Sequence, residues 1–142
     1  MAMIMLAHSF RVIRRRIAIG LLERGEYIAG EVAKGEDVFE MYRKIKPNLL
    51  IMEMLMSGMN GIECLRVIRA YYPSAQILII YDGKYRELCD AALAEGCSGI
   101  IRNPYDIQKV YQAIQSILRK QPFWQMVKSE MRCATRLLSD TE

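Results

Sequence analysis

Few side chains in this sequence could do chemistry, and their spacing narrows the choice further. His8 is the only histidine. No Ser/His/Asp ordering for nucleophilic catalysis can be built around it. Zinc could in principle take His8 with Cys64, Cys89 and Cys97, but these lack ligand spacing and fall on different predicted elements. The four cysteines, with Cys133 the last, form no C-x-x-C pair, which suits buried thiols in a reducing cytosol. No glycine-rich phosphate loop of the G-x-G-x-x-G or G-x-x-x-x-G-K-[ST] kind occurs. Arg11, Arg14, Arg15, Arg16 and Arg24 make one segment basic. Consecutive arginines fan around a helix, so a solvated surface is expected in preference to a nucleic-acid face. Met52, Met54, Met56 and Met59 read as core and loop filling.

The elements that must position these groups follow from composition and period. The chain has 142 residues, 52% hydrophobic and 25% charged, which excludes disorder and fits one domain with its own core. Its net charge of +4 is too small to argue for nucleic acid. The longest stretch without a charge, Ala70–Tyr81, is 12 residues, well short of the roughly 20 that span a bilayer. The Met-rich start has no basic region before it and no signal-peptide layout, so the expected location is the cytoplasm.

Short apolar runs predict buried strands at Ala2–Ala7, Tyr27–Val32, Leu49–Met54, Ile77–Tyr81 and Gly99–Ile101. Between them, apolar residues recur every three or four positions: Phe10, Ile13, Ile17, Leu21; Val38, Met41, Tyr42, Ile45; Ile62, Leu65, Ile68; and Ile107, Val110, Ile114, Ile117. Leu88, Ala91, Ala92 and Glu95 form a weaker stripe. Ser9 is placed to cap the first helix, and Pro47 and Pro73 each precede a strand. Strands without alternation are buried on both faces, so the fold class is α/β: a doubly wound, five-stranded parallel sheet with helices on both sides. Functional groups in such sheets collect at the carboxyl ends of the strands.

Against this frame, several stretches resemble one family. Leu49-Leu-Ile-Met-Glu-Met-Leu-Met-Ser-Gly-Met-Asn-Gly61 is similar to the third strand and following loop of response-regulator receiver domains. Gly30–Glu36 resembles the second strand and turn, Ala91–Gly96 with Gly99 the fourth helix and fifth strand, and Asn103-Pro104-Tyr105 the Lys-Pro-Phe segment after strand five. The resemblance spans Met1 to about Lys120. It closely resembles receivers that precede a helix-turn-helix output domain. It implies the flavodoxin-like strand order 2-1-3-4-5.

In working receivers an Asp at the end of strand three accepts phosphate, two acids after strand one hold Mg²⁺, and a Ser/Thr and a Lys bind the phosphate oxygens. An aromatic residue on strand five reports the change. By resemblance, Glu53 stands here at the phosphoacceptor position, and Ala7 and His8 at the metal-binding acids. Tyr81 stands at the Ser/Thr position, Asn103 at the Lys, Ile100 at the switch aromatic and Ser57 at the loop proline. Asp82 is a possible pocket acid, starting in the wrong place. Mg²⁺ is held by carboxylates in strict octahedral geometry, so this set should bind it poorly. Arg102 could stand in for the Lys only if strand alternation did not turn it to the opposite face. By the family's strand order His8 and Glu53 end neighbouring strands. They are expected either to form an imidazolium–carboxylate pair or to leave His8 a solvated loop histidine.

The resulting expectation is a degenerate receiver over residues 1–120, followed by a helical extension or linker over 121–142. It would act without phosphorylation, through a protein partner or self-association as a homodimer. No cofactor, catalytic residue, metal, membrane or direct nucleic-acid contact is expected. The partner face would run from Lys84 to Lys120. In the extension, Trp124, Val127, Met131, Ala134 and Leu138 follow a 3, 4, 3, 4 spacing, a two-heptad seam that either packs back on its own domain or forms a dimer. Three alternatives stand beside this reading. One is a phosphate-responsive switch using Glu53 or Asp82. Another is the N-terminal part of a DNA-binding regulator. The third is a flavin binder of the same fold class.

Overall fold

A computed structural model describes residues 2–83 and 86–119. The seam residues Trp124, Val127, Met131, Ala134 and Leu138 lie outside the described residues, as does Cys133. Five strands alternate with five helices: β1 (Met3–Ala7), α1 (Arg11–Glu23), β2 (Tyr27–Val32), α2 (Val38–Ile45), β3 (Leu49–Glu53), α3 (Gly61–Tyr71), β4 (Ile77–Tyr81), α4 (Arg86–Ala94), β5 (Gly99–Arg102) and α5 (Ile107–Leu118). The strands form one parallel sheet in the order β2-β1-β3-β4-β5, the doubly wound topology that the apolar runs imply.

Alternation along the strands divides the core into two layers. Met5, Leu50, Met52, Ile77 and Ile79 point to one face, where Val38, Tyr42, Leu65, Ile68 and Ala92 from α2, α3 and α4 cover them. Ile4, Leu6, Leu49, Ile51, Leu78 and Ile80 point to the other, under Ile17 and Leu21 of α1 and Val110, Ile114 and Ile117 of α5. Every residue of β3 and β4 is buried, which explains why their sequences are apolar up to Glu53 at the end of β3. Met52, Met54 and Met56 are core residues, with Met59 packed against them.

Two close backbone approaches fix the loops at the carboxyl edge. A Cβ on Gly35 would lie 1.6 Å from the Met59 carbonyl oxygen, and the Gly35 N–H donates to the Ser57 carbonyl at 2.9 Å. A Cβ on Gly61 would lie 2.5 Å from the Glu53 carbonyl oxygen, while its N–H donates to the Met54 carbonyl at 2.8 Å. Only glycine allows these contacts, so the β3–α3 loop is drawn down onto the end of β3. Asn60 caps α3, its Oδ1 accepting the Glu63 N–H at 2.9 Å.

Ser9 does not cap α1. The N-cap residue is Phe10, with no side-chain bond, and Ser9 Oγ instead accepts the Ser57 N–H at 3.0 Å. The competing donor is a loop amide that is far away in sequence. The arginine-rich helix is not uniformly solvated either. Arg14 is largely covered, its Nη1 donating to the His8 carbonyl at 2.7 Å and its Nε to Glu31 at 3.2 Å.

Cys64 ties α3 to these loops, its thiol donating to the Gly35 carbonyl at 3.3 Å. Burial, with a smaller contribution from the Glu63 charge, pushes this thiol up to about 11 from an ordinary 9.0. Below pH 9 both folded and unfolded thiols hold their proton. Between pH 9 and 11 the unfolded chain loses it first, so stability falls as pH rises through that window. Urea unfolding should show wild type losing roughly 2 kcal/mol more than Cys64→Ala between those limits. Parallel pH profiles for the two proteins would show that the thiol is not held in this way.

Candidate functional site

The carboxyl ends of the strands bring part of the expected set together. Ala7 ends β1 opposite Met52 of β3, so His8 falls beside Glu53, the last residue of β3. The His8 N–H donates to the Val32 carbonyl at 3.0 Å, which prolongs the β1–β2 ladder by one residue and fixes the backbone from which the ring projects. The imidazole is turned inward. His8 is 4% exposed and Glu53 8%, and Nε2 stands 2.8 Å from Glu53 Oε2. Of the two expectations for His8, the solvated loop histidine is excluded.

The protonation pattern follows from the other ring nitrogen. Nδ1 accepts the Phe10 N–H at 3.0 Å, so it carries no proton, and the ring proton must sit on Nε2, facing the carboxylate. The His8–Glu53 pairing expected from sequence is present, and the Phe10 bond makes it a neutral imidazole N–H against the carboxylate in place of an imidazolium. The approach is close but not collinear, and Oε2 is fully covered with no aligned donor. Arg14, holding the His8 carbonyl and Glu31 at once, braces the same loop from outside.

The other expected residues lie apart from this contact. Tyr81 ends β4 with its ring buried in the layer under α3 and α4. Ile100 packs against that same layer from β5. Asp82 is exposed and accepts the Tyr105 hydroxyl proton at 3.1 Å, bridging the β4–α4 and β5–α5 loops. Burial and the hydrogen bond to Asp82 raise the Tyr105 phenol above its ordinary value, so it remains a neutral donor. Asn103 is exposed, adopts a left-handed φ of 64°, and accepts the Tyr105 N–H on Oδ1 at 3.3 Å. Asparagine tolerates that conformation better than most residues. The strand pattern ends one residue earlier, at Arg102, whose Nε donates to the Gly83 carbonyl at 2.9 Å. The roles of Arg14 and Tyr105 are invisible in the linear pattern, because their partners are a carbonyl and a carboxylate on other loops.

A five-stranded parallel sheet of this order, with acidic and polar groups gathered at its carboxyl edge, defines a receiver-like α/β domain. Residues 4–115 match the model of the response regulator receiver domain, and the chain belongs to that family. It is 31% identical over 99 residues to Protein CcdB of Bacillus subtilis, covering 69% of this chain and 82% of that protein. With the chemotaxis protein CheY of Thermotoga maritima it shares 26% identity over 97 residues, 68% of this chain and 81% of CheY. Among solved structures, a LuxR-family two-component response regulator from Aurantimonas sp. SI85-9A1 superposes with a TM-score of 0.78 at 28% identity, covering 93% of this chain and 98% of that one.

The family implies Mg²⁺, and the residues present do not fit it. Glu53 offers one carboxylate, already faced by an imidazole, and Asp82 is turned to Tyr105. Among the described residues no three His, Cys, Asp or Glu side chains cluster as a metal site. One imidazole and one carboxylate do not make the oxygen-rich octahedral set that the ion demands.

Two outcomes test the contact. Nitrogen chemical shifts of His8 near neutral pH should show Nε2 protonated and Nδ1 bare; the reverse tautomer would contradict the Phe10 bond. Removing one partner leaves a covered polar group, so His8→Ala and Glu53→Ala should each cost about 1–3 kcal/mol in urea unfolding. The double variant should cost clearly less than their sum, whereas strict additivity would show the two side chains to be independent.

Proposed function

We propose that this domain is a degenerate receiver, working in bacterial signalling or transcription control by protein–protein recognition without phosphorylation. The observation that carries the reading is the buried His8–Glu53 contact of 2.8 Å. A phosphoryl group moving onto a carboxylate needs open space at an oxygen and cations to neutralise it. At Glu53 that space is taken by a neutral ring. By resemblance, Asn103 replaces the expected ammonium and Tyr81 the small hydroxyl, and both are committed elsewhere in the fold. The contact holds the pocket in one state, and no catalytic role is assigned to any residue.

The recognition surface in this reading is the face of α4, β5 and α5, within residues 84–120. Its upper edge is held by the Tyr105–Asp82 bridge and the Arg102–Gly83 bond, neither of which depends on a bound phosphate. A protein partner or a second copy of the chain would dock there, in the cytosol. Among the described residues no helix is long and apolar enough to cross a membrane.

Incubation of the chain with acetyl phosphate and Mg²⁺, followed by intact-mass measurement, tests the proposal. No phosphoryl adduct is expected, under conditions that label a receiver with the full acidic set. An adduct mapped to Glu53 or Asp82 would replace this reading with a phosphate-responsive switch.

A further inference from the structure

The helix α1 buries one side and leaves a second apolar stripe uncovered. Ile17, Ala18 and Leu21 face the sheet, while Val12, Ile19 and Leu22 are 76%, 52% and 61% exposed. With Arg15 between them they run at spacings of 3, 4 and 3 residues, one continuous strip on the outer side. A shallow depression lined by Arg11, Val12, Arg15, Arg16 and Ile19 lies along it. The face is apolar along its middle and basic at its flanks, so its occupant should be an apolar helix carrying acids.

Residues 121–142 carry an apolar stripe and three acids, Glu130, Asp140 and Glu142, against three bases, Lys128, Arg132 and Arg136. Trp124, Val127, Met131 and Ala134 repeat the same 3, 4, 3 spacing, and Leu138 extends it. Run antiparallel to α1, they place Trp124 against Leu22, Val127 against Ile19, Met131 over the Arg15 stem and Ala134 against Val12. In that alignment Glu130 flanks the seam on the Ala18 side and Lys128 on the Arg16 side, and Asp140 and Glu142 arrive at the Arg11 end. Arg132 and Arg136 fall on the outer side of the heptad, away from α1.

The connection is short enough. Arg119, just past α5, shares a cleft with Glu26, three residues beyond the end of α1. The five residues from Arg119 to Trp124 can reach about 17 Å, and neighbouring helices stand roughly 8–10 Å apart. α1 and α5 are such neighbours, with Arg24 lying over the Tyr111 ring at 6.0 Å. A covalently attached segment also acts at millimolar effective concentration. A second α1 is a poorer occupant, since two such faces would set Arg15 and Arg16 against one another.

We propose that residues 121–142 cover the outer face of α1 within the same chain.

Trp124 is the only tryptophan, so it reports directly on the full chain. Its emission should be blue-shifted in the native protein, with acrylamide quenching severalfold slower than in the denatured chain. Ile19→Gln and Leu22→Gln, both at exposed positions, should move emission and quenching most of the way to the denatured values while circular dichroism holds. Native emission equal to that of the denatured chain would overturn the proposal, as would signals unmoved by both glutamine variants. A blue shift lost on dilution would overturn it in favour of a second copy as the occupant.

Discussion

A carboxylate taken out of water at the end of a central strand costs several kcal/mol unless a partner faces it. Glu53 is in that position, the buried last residue of β3. The groups around it can be understood as responses to that burial. His8 presents its N–H; Phe10 holds the other ring nitrogen; Arg14 holds the loop that carries the ring. The single contact is not well aligned, so the surrounding backbone, not the contact alone, keeps the pair in place.

That backbone is held by few but strict constraints. The Ser57 peptide is gripped from two sides, its carbonyl by Gly35 and its N–H by Ser9. Gly61 sits on the Glu53 carbonyl with no room for a methyl group. Three loops from three different strand–helix units thus meet at the Ser57 peptide, near the end of β3. The apolar layers below supply the stability, and the loops convert it into position.

Much of this fold was legible in the sequence, because buried parallel strands leave unbroken apolar runs and their helices leave a 3.6-residue period. All five strands end where the runs suggest to within one residue, and the sheet order follows once the class is known. The site was legible only in part. The neighbourhood of His8 and Glu53 follows from strand order, but the tautomer depends on a backbone N–H that no pattern reveals. Ser9 has the right type and place for a helix cap, yet a distant amide takes its oxygen. Arg14 is indistinguishable in sequence from Arg15 and Arg16, and only the fold turns it toward His8 and Glu31. The Tyr105–Asp82 bridge crosses two loops whose residues carry no periodic signal.

The closeness of His8 to Glu53 has a consequence for how this sequence can change. Shortening the acid at position 53 to Asp withdraws it from the ring by about one methylene and leaves a covered charge facing a gap. Placing an acid at position 8 sets two carboxylates against each other, which disfavours both being ionised. Each single exchange passes through a less stable protein, although a paired exchange need not. The two positions are therefore linked in any mutational path, and neither can be exchanged alone without a cost in stability.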